Sequence, residues 1–286
     1  MSSVGGIRQP ATGGNEDDGA ERPGPRRPGG RAAGSTAIVA ASPSDGGLRA
    51  AADRVLTRAV LDYAAQRPGQ PLALLQAGPA TAGDDPDLAA LRSAGCDLTL
   101  SFIDDDIAAA RATVTAHPDL VRCTLCDLRL APLGPRAFDI VHCALLLQRI
   151  GHAELVLDRL VETLKPGGLL LLQTGDRDCA AGYLDRVLPQ PLRAAIWRRR
   201  RPGVPGPYPA VYEPLVSERG IQSYATRRGL VIAQRRALSA GSGRPGSAGP
   251  LPGRVLVSLS RERLTAAHDE LRFVIRKPES GFARVL

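Results

Sequence analysis

Aromatic residues are scarce in this chain, 3% of 286 residues, with a single Trp and a single Met. Any core must therefore rest on Leu, Val, Ile and Ala, and a hydrophobic content of 43% supplies enough of them for a sizeable one. Lysine is nearly missing: Lys165 and Lys277 are the only two, so almost all of the formal charge of +8 comes from arginine. No apolar run approaches a membrane span, and the amino terminus lacks the basic and apolar stretches of a signal peptide. No membrane partner is expected. Five cysteines, an odd number, argue against a disulfide framework and for free thiols in a reducing cytoplasm. Cys123-x-x-Cys126 lacks a second ligand pair at metal spacing, so no metal site is expected and buried thiols are the reading.

What is present divides along the chain. Residues 1–47 are Gly, Pro, Arg, Ser and Ala with few large apolar side chains, a composition that cannot offset the entropy of ordering, and they read as a disordered tail. A domain is expected over 48–278, with an insertion or lid at 179–216, a flexible Gly/Ser/Pro loop at 239–253, and a short tail at 279–286. Within the domain, helical spacing alternates with short apolar runs. Helices are predicted over Arg54–Ala65, Asp87–Ala94, Asp104–Ala116, Ala153–Leu164, Cys179–Arg200 and Ser217–Arg228. Strands are predicted over Leu72–Gln76, Asp97–Ile103, Leu120–Leu125, Phe138–Ala144, Leu169–Thr174 and Leu230–Arg236, with closing strand material at Arg254–Leu259 and Leu271–Lys277. Strands that are apolar throughout and separated by helices imply a parallel sheet covered on both faces.

A sequence pI near 9.8 permits a polyanionic partner, and the densest basic run, Arg198 to Arg201, directly follows Trp197. No nucleic-acid motif accompanies it, so a solvated helix end is the reading and no nucleic-acid partner is expected.

Two segments carry a family resemblance. Phe138-Asp139-Ile140-Val141-His142-Cys143-Ala144 through Ile150, and Leu160 through Lys165-Pro166-Gly167-Gly168-Leu169-Leu170, resemble the fourth strand, next helix, Pro-Gly-Gly turn and fifth strand of class I S-adenosylmethionine (SAM) dependent methyltransferases. The closing strand Leu271 to Pro278 is similar too. The resemblance implies an α/β Rossmann-like fold with a mostly parallel seven-stranded sheet flanked by helices. It also implies SAM as cofactor and, for the type 11-like branch, a small-molecule methyl acceptor.

By the same resemblance, the cofactor positions are Gln76, Gly78, Ala80 and Gly83 in the turn after the first strand, Ser101 and Phe102 in the second, Asp127 and Leu128 after the third, and Cys143 in the fourth. Gln76 stands where the family has an acid and would face the methionine end, while Ala80 and Ala82 replace glycines. Ser101 falls at the ribose-binding acid when counted back from Ala110-Arg111; a shifted register brings Asp104 there instead. Asp127 would accept from the adenine amino group. No residue declares itself as a base: His142 and Asp139 read as core and structural residues, and His152 as an exposed one. Tyr208 and Tyr212 either line a substrate pocket or pack a Pro-braced loop. The expected function is methyl transfer from SAM to a small molecule; the alternative is a methyltransferase-fold protein that binds or regulates without catalysing.

Overall fold

The structure, a computed structural model of the chain, describes residues 54–79, 86–200, 205–238, 268 and 270–279. In chain order the elements are α1 (Val55–Ala65), β1 (Leu72–Ala77), α2 (Leu88–Ser93), β2 (Leu98–Asp104), α3 (Ile107–Ala116), β3 (Arg122–Leu125) and β4 (Phe138–Ala144). Next come α4 (Ala153–Thr163), β5 (Leu164–Gly175), α5 (Ala180–Val187), α6 (Gln190–Arg200), α7 (Glu218–Arg227), β6 (Val231–Leu238) and β7 (Glu270–Arg276). The predicted tail at 1–47, the loop at 239–253, the strand material at Arg254–Leu259 and residues 280–286 lie outside the described residues.

Among the described residues, seven strands form one sheet in the order β3-β2-β1-β4-β5-β7-β6. The first five run parallel, and β7 is antiparallel to both β5 and β6. This is the mostly parallel seven-stranded sheet that the resemblance implies. Alternate residues of each central strand feed the two faces. Leu75, Ala77, Ile103, Val141 and Leu172 pack towards α4 and α7, while Leu74, Leu100, Ile140 and Leu171 pack towards α1 and α2. Because both faces are covered, these strands place apolar residues on both faces rather than at every second position alone. The edge strand β6 is mostly exposed and carries Gln234, Arg235 and Arg236, a polar edge that resists further pairing.

Three boundaries differ from the sequence reading. Asp104 closes β2 instead of opening a helix, and α3 starts at Ile107 with Asp106 as its cap, accepting from Ala109 N at 2.7 Å. The insertion is two helices, α5 and α6, parted at Leu188 and Pro189. The Lys165-Pro166-Gly167-Gly168 turn is folded into β5 as a bulge: Phe138 pairs with Leu164, but Ile140 pairs with Leu169. Gly167 there has φ +77°, which favours glycine. Asp139 fixes the entry to this bulge, accepting from Ala73 N at 3.0 Å and Lys165 Nζ at 2.8 Å, in keeping with a structural role.

Candidate cofactor site

The strand order reverses about β1, which pairs with β2 on one side and β4 on the other. In open α/β sheets the crevice at the carboxyl ends of the strands beside such a reversal is where ligands bind. At this edge β1 turns through Gly78, whose φ is +92° and whose N donates to Ile103 O at 3.2 Å. A Cβ on Gly78 would lie 2.2 Å from Ala144 O, so only glycine lets the chain turn away here. Ala80 and Gly83, the next two predicted positions, lie outside the described residues.

Gln76 does not present its amide at the crevice. It is 2% exposed, its Nε2 donates to Gly78 O at 3.1 Å, and its Oε1 lies 2.7 Å from His142 Nδ1. Gln76 therefore braces the turn from below, with the His142 proton on Nδ1 as the donor. His142 itself is buried in β4, a core histidine as expected.

Ser101 pairs with Leu75, three residues before the end of β2, and so lies below the crevice. Phe102 beside it is fully buried. Asp104 is the residue level with Gly78, because Ile103 pairs with Ala77. The register thus brings Asp104, not Ser101, to the carboxyl edge. Its Oδ1 accepts from Asp105 N at 2.7 Å, Asp106 N at 2.9 Å and Arg149 Nη2. Among the described residues its Oδ2 is buried without a hydrogen-bond partner. Burial pushes the Asp104 carboxyl up to about 6 against the opposing pull of the Arg149 guanidinium.

Arg149 enters from the turn after β4. Only 4% of its side chain is exposed, Nη1 donates to Asp105 Oδ1 at 2.9 Å, and its guanidinium carbon lies 4.4 Å from the centre of the Tyr208 ring. Arg149 Nε and the Tyr208 hydroxyl are likewise buried without a partner among the described residues. Three polar groups with unmet hydrogen bonds (Asp104 Oδ2, Arg149 Nε and Tyr208 OH) thus gather at one edge of the sheet, where such atoms are costly unless a ligand or water meets them. Neither Arg149 nor Asp104 stood among the predicted positions, although Asp104 was named as the shifted-register choice. The one local signal for Arg149 is a charged residue ending the apolar run from Ala144.

Of this cluster only Arg149 lines a cavity of about 560 Å3, which it shares with Asp105, Cys126, Asp127, Leu128 and Val156. The volume lies within the range of small-molecule sites. Asp127 lines it, yet both its oxygens are taken by Arg129, with Nε at 2.9 and 3.2 Å and Nη2 at 2.7 Å. These side-chain bonds, with the Arg129 backbone N–H, hold its carboxyl down to about 2. Leu128 is buried beneath it. Cys143 lies in the core one residue before the end of β4, and burial pushes its thiol up to about 12, so it is inert. Cys123 is exposed and Cys126 only partly buried, unlike the buried thiols expected from the sequence; both are free, and the described residues contain no cluster of metal-ligating side chains.

A strap from the insertion roofs the β4 and β5 ends. Gln148 O accepts from Val211 N at 3.0 Å and Tyr212 N at 3.1 Å, and Gln148 Oε1 accepts from Gly175 N at 2.6 Å. Glu213 accepts from His152 N at 2.7 Å and Ala153 N at 2.9 Å, capping α4. Tyr208 and Tyr212 are both buried in this strap, where Tyr208 meets Trp197 edge-on with ring centres 5.7 Å apart.

Residues 75–172 match the family profile described as a methyltransferase domain. No curated protein matches the chain. Among solved structures, the CurJ carbon methyltransferase is similar at 15% identity with a TM-score of 0.50, over 79% of this chain and 54% of that one. The chain thus spans about half the length of that neighbour, whose likeness supports the fold alone. Geranyl diphosphate C-methyltransferase from Streptomyces coelicolor A3(2), solved with Mg2+, geranyl-S-thiolodiphosphate and S-adenosyl-L-homocysteine, is 14% identical over 77% of this chain and 76% of that chain, with a TM-score of 0.45. Phosphoethanolamine N-methyltransferase 2 from Haemonchus contortus, solved with S-adenosyl-L-methionine, is 17% identical over 78% and 52%, with a TM-score of 0.46. Residues 75–172 thus match a methyltransferase-domain profile by sequence, and the sheet that holds them has a Rossmann-like fold.

Proposed function

We propose that the protein binds SAM along the carboxyl edge of β1, β2 and β3 and transfers its methyl group to a small-molecule acceptor beneath the strap at 205–216. The observation that carries this reading is the buried, unpartnered Oδ2 of Asp104, level with Gly78, whose neighbour Asp105 and partner Arg149 line the cavity that reaches Asp127 and Leu128. A carboxylate oxygen with an open hydrogen-bond position fits a ribose hydroxyl. Asp127 and Leu128 would flank the adenine, Asp127 trading part of its Arg129 contact for the amino group. Gly78 would let the methionine end approach the backbone. Asp104, Asp105 and Asp106 against Arg149 leave this edge negative within a basic protein, which suits a cofactor carrying a sulfonium and an ammonium.

The cofactor supplies an electrophilic methyl group; the protein's part is to hold the acceptor in line and keep water out. The enclosed strap, with Tyr208 and Tyr212 buried in it, suits a small acceptor better than a polymer. A cytoplasmic setting fits the five cysteines, all free. Among the described residues no helix is long and apolar enough to cross a membrane.

A second reading, a non-catalytic methyltransferase fold, is favoured by one set of contacts: Gln76, Asp104 and Asp127 all spend hydrogen bonds inside the protein. Thermal unfolding with S-adenosylhomocysteine separates the possibilities. At a hundred times its Kd the ligand contributes about 2.7 kcal/mol, and Tm should rise by roughly 5–10 °C. A rise together with release of S-adenosylhomocysteine from SAM in the presence of phenol, amine or carboxylate acceptors supports the enzyme. A rise without release across those classes supports the second reading, and no rise removes cofactor binding from both.

A further inference from the structure

Arg198 and Arg199, which open the densest basic run of the chain, lie on α6 beside exposed aliphatic side chains. On α6, Leu192, Ala195, Ile196 and Arg199 follow one another at i, i+3, i+4 and i+7, and all four are exposed. Leu192 is 54% and Ile196 41% exposed, whereas the side chain of Arg193 points to Asp185 and Trp197 packs against Tyr208. The aliphatic stripe of this helix is therefore turned outward, the reverse of the usual arrangement for a surface helix. Two further exposed apolar residues, Tyr183 and Val187, lie one turn apart on α5. The helix contains no acid, and Arg198 and Arg199 near its carboxyl end are both exposed.

We infer that this face of α6 docks on an anionic phospholipid surface, with Leu192 and Ile196 entering the headgroup boundary and the arginines at the helix end meeting the lipid phosphates. Outward aliphatics beside clustered arginines are what an interfacial helix needs. The same features argue against the other occupants. A nucleic acid offers nothing to Leu192 and Ile196, and the one aromatic beside the run, Trp197, is held by Tyr208. A second copy of the face would set arginine cluster against arginine cluster. The inference is independent of cofactor binding.

The test is co-sedimentation of the full chain with vesicles of phosphatidylglycerol and phosphatidylcholine in equal parts, against vesicles of phosphatidylcholine alone. Binding to the acidic vesicles is expected, weakening as salt is raised. Arg198→Gln with Arg199→Gln should reduce the partition coefficient roughly thirtyfold, at about fivefold per arginine. Leu192→Ser with Ile196→Ser should reduce it roughly a hundredfold while leaving the circular dichroism spectrum and Tm unchanged, because both side chains are exposed. Arg111→Gln with Arg122→Gln, two exposed arginines on other elements, should change it little. No binding to acidic vesicles overturns the proposal. So does binding that the serine pair leaves intact and a DNA duplex competes away, the signature of a generic polyanion surface. Self-association abolished by the serine pair would assign the face to a second copy instead.

Discussion

A guanidinium with 4% of its side chain exposed needs partners, and Arg149 finds them in Asp104 and Asp105 at the end of β2. Removing one member of such a pair strands the other, while replacing both is tolerated far better. Arg149→Met should therefore cost about 3–5 kcal/mol in urea unfolding at neutral pH, and Asp104→Asn combined with Arg149→Met should recover most of that loss. The pH dependence follows from burial. With its carboxyl at about 6 in the folded chain, above the ordinary value of roughly 3.9, Asp104 is held more tightly protonated in the folded state than in the unfolded one. Its contribution to stability is then full below about pH 4 and is lost as pH rises through about 6. Without Arg149 the carboxyl moves higher still. The destabilisation by Arg149→Met should accordingly shrink in unfolding measured near pH 4; an equal loss at both pH values would show that Arg149 acts through packing on Tyr208 rather than through Asp104.

The strap at 205–216 has few backbone bonds of its own and is held by Gln148 and Glu213. Glu213 satisfies two of the amide groups that every helix leaves open at its start, here on α4. Glu213→Ala should cost about 1–2 kcal/mol and open the strap before the sheet. Hydrogen exchange by mass spectrometry should show faster exchange in peptides spanning 205–217 with β1 to β5 unchanged. Unchanged exchange at 205–217 would mean that the strap is held by its packed tyrosines instead. It is also among the elements that the reach of the sequence is clearest. The strands of the sheet's centre were legible because they are apolar on both faces, and the helices because their apolar residues recur on one face. The junction of β2 and α3 was not. Three successive aspartates look like the acidic first turn of a helix, yet Asp104 ends the strand and Asp106 caps the helix. Only two residues, Asp105 and Asp106, separate the elements, so counting back from the helix reached Ser101 while strand pairing selects Asp104. Arg149 was out of reach for another reason: its partner lies 45 positions earlier in the chain, and nothing in the run that it ends announces a charge pair. Gln76 was seen as a lost acid, but its bond to His142 crosses two strands and shows only once they are paired.

Across the whole molecule, a chain of net charge +8 gathers Asp104, Asp105 and Asp106 at the crevice and leaves Arg198 and Arg199 exposed near the end of α6. The two surfaces suit opposite partners, a cationic cofactor at one and a polyanionic sheet of lipid at the other, and neither needs the other to function. Asp104, rather than Ser101 or Gln76, is the proposed anchor for the ribose of SAM. Calorimetric titration of SAM into the full chain and into Asp104→Asn tests it most directly, with Ser101→Ala as the comparison. Saturable binding by the parent chain is expected, weakened roughly ten- to a hundredfold by Asp104→Asn, the loss of one charge-assisted hydrogen bond, and little changed by Ser101→Ala. Binding by Asp104→Asn as tight as that of the parent, or no heat at millimolar SAM with the folded parent chain, would contradict it.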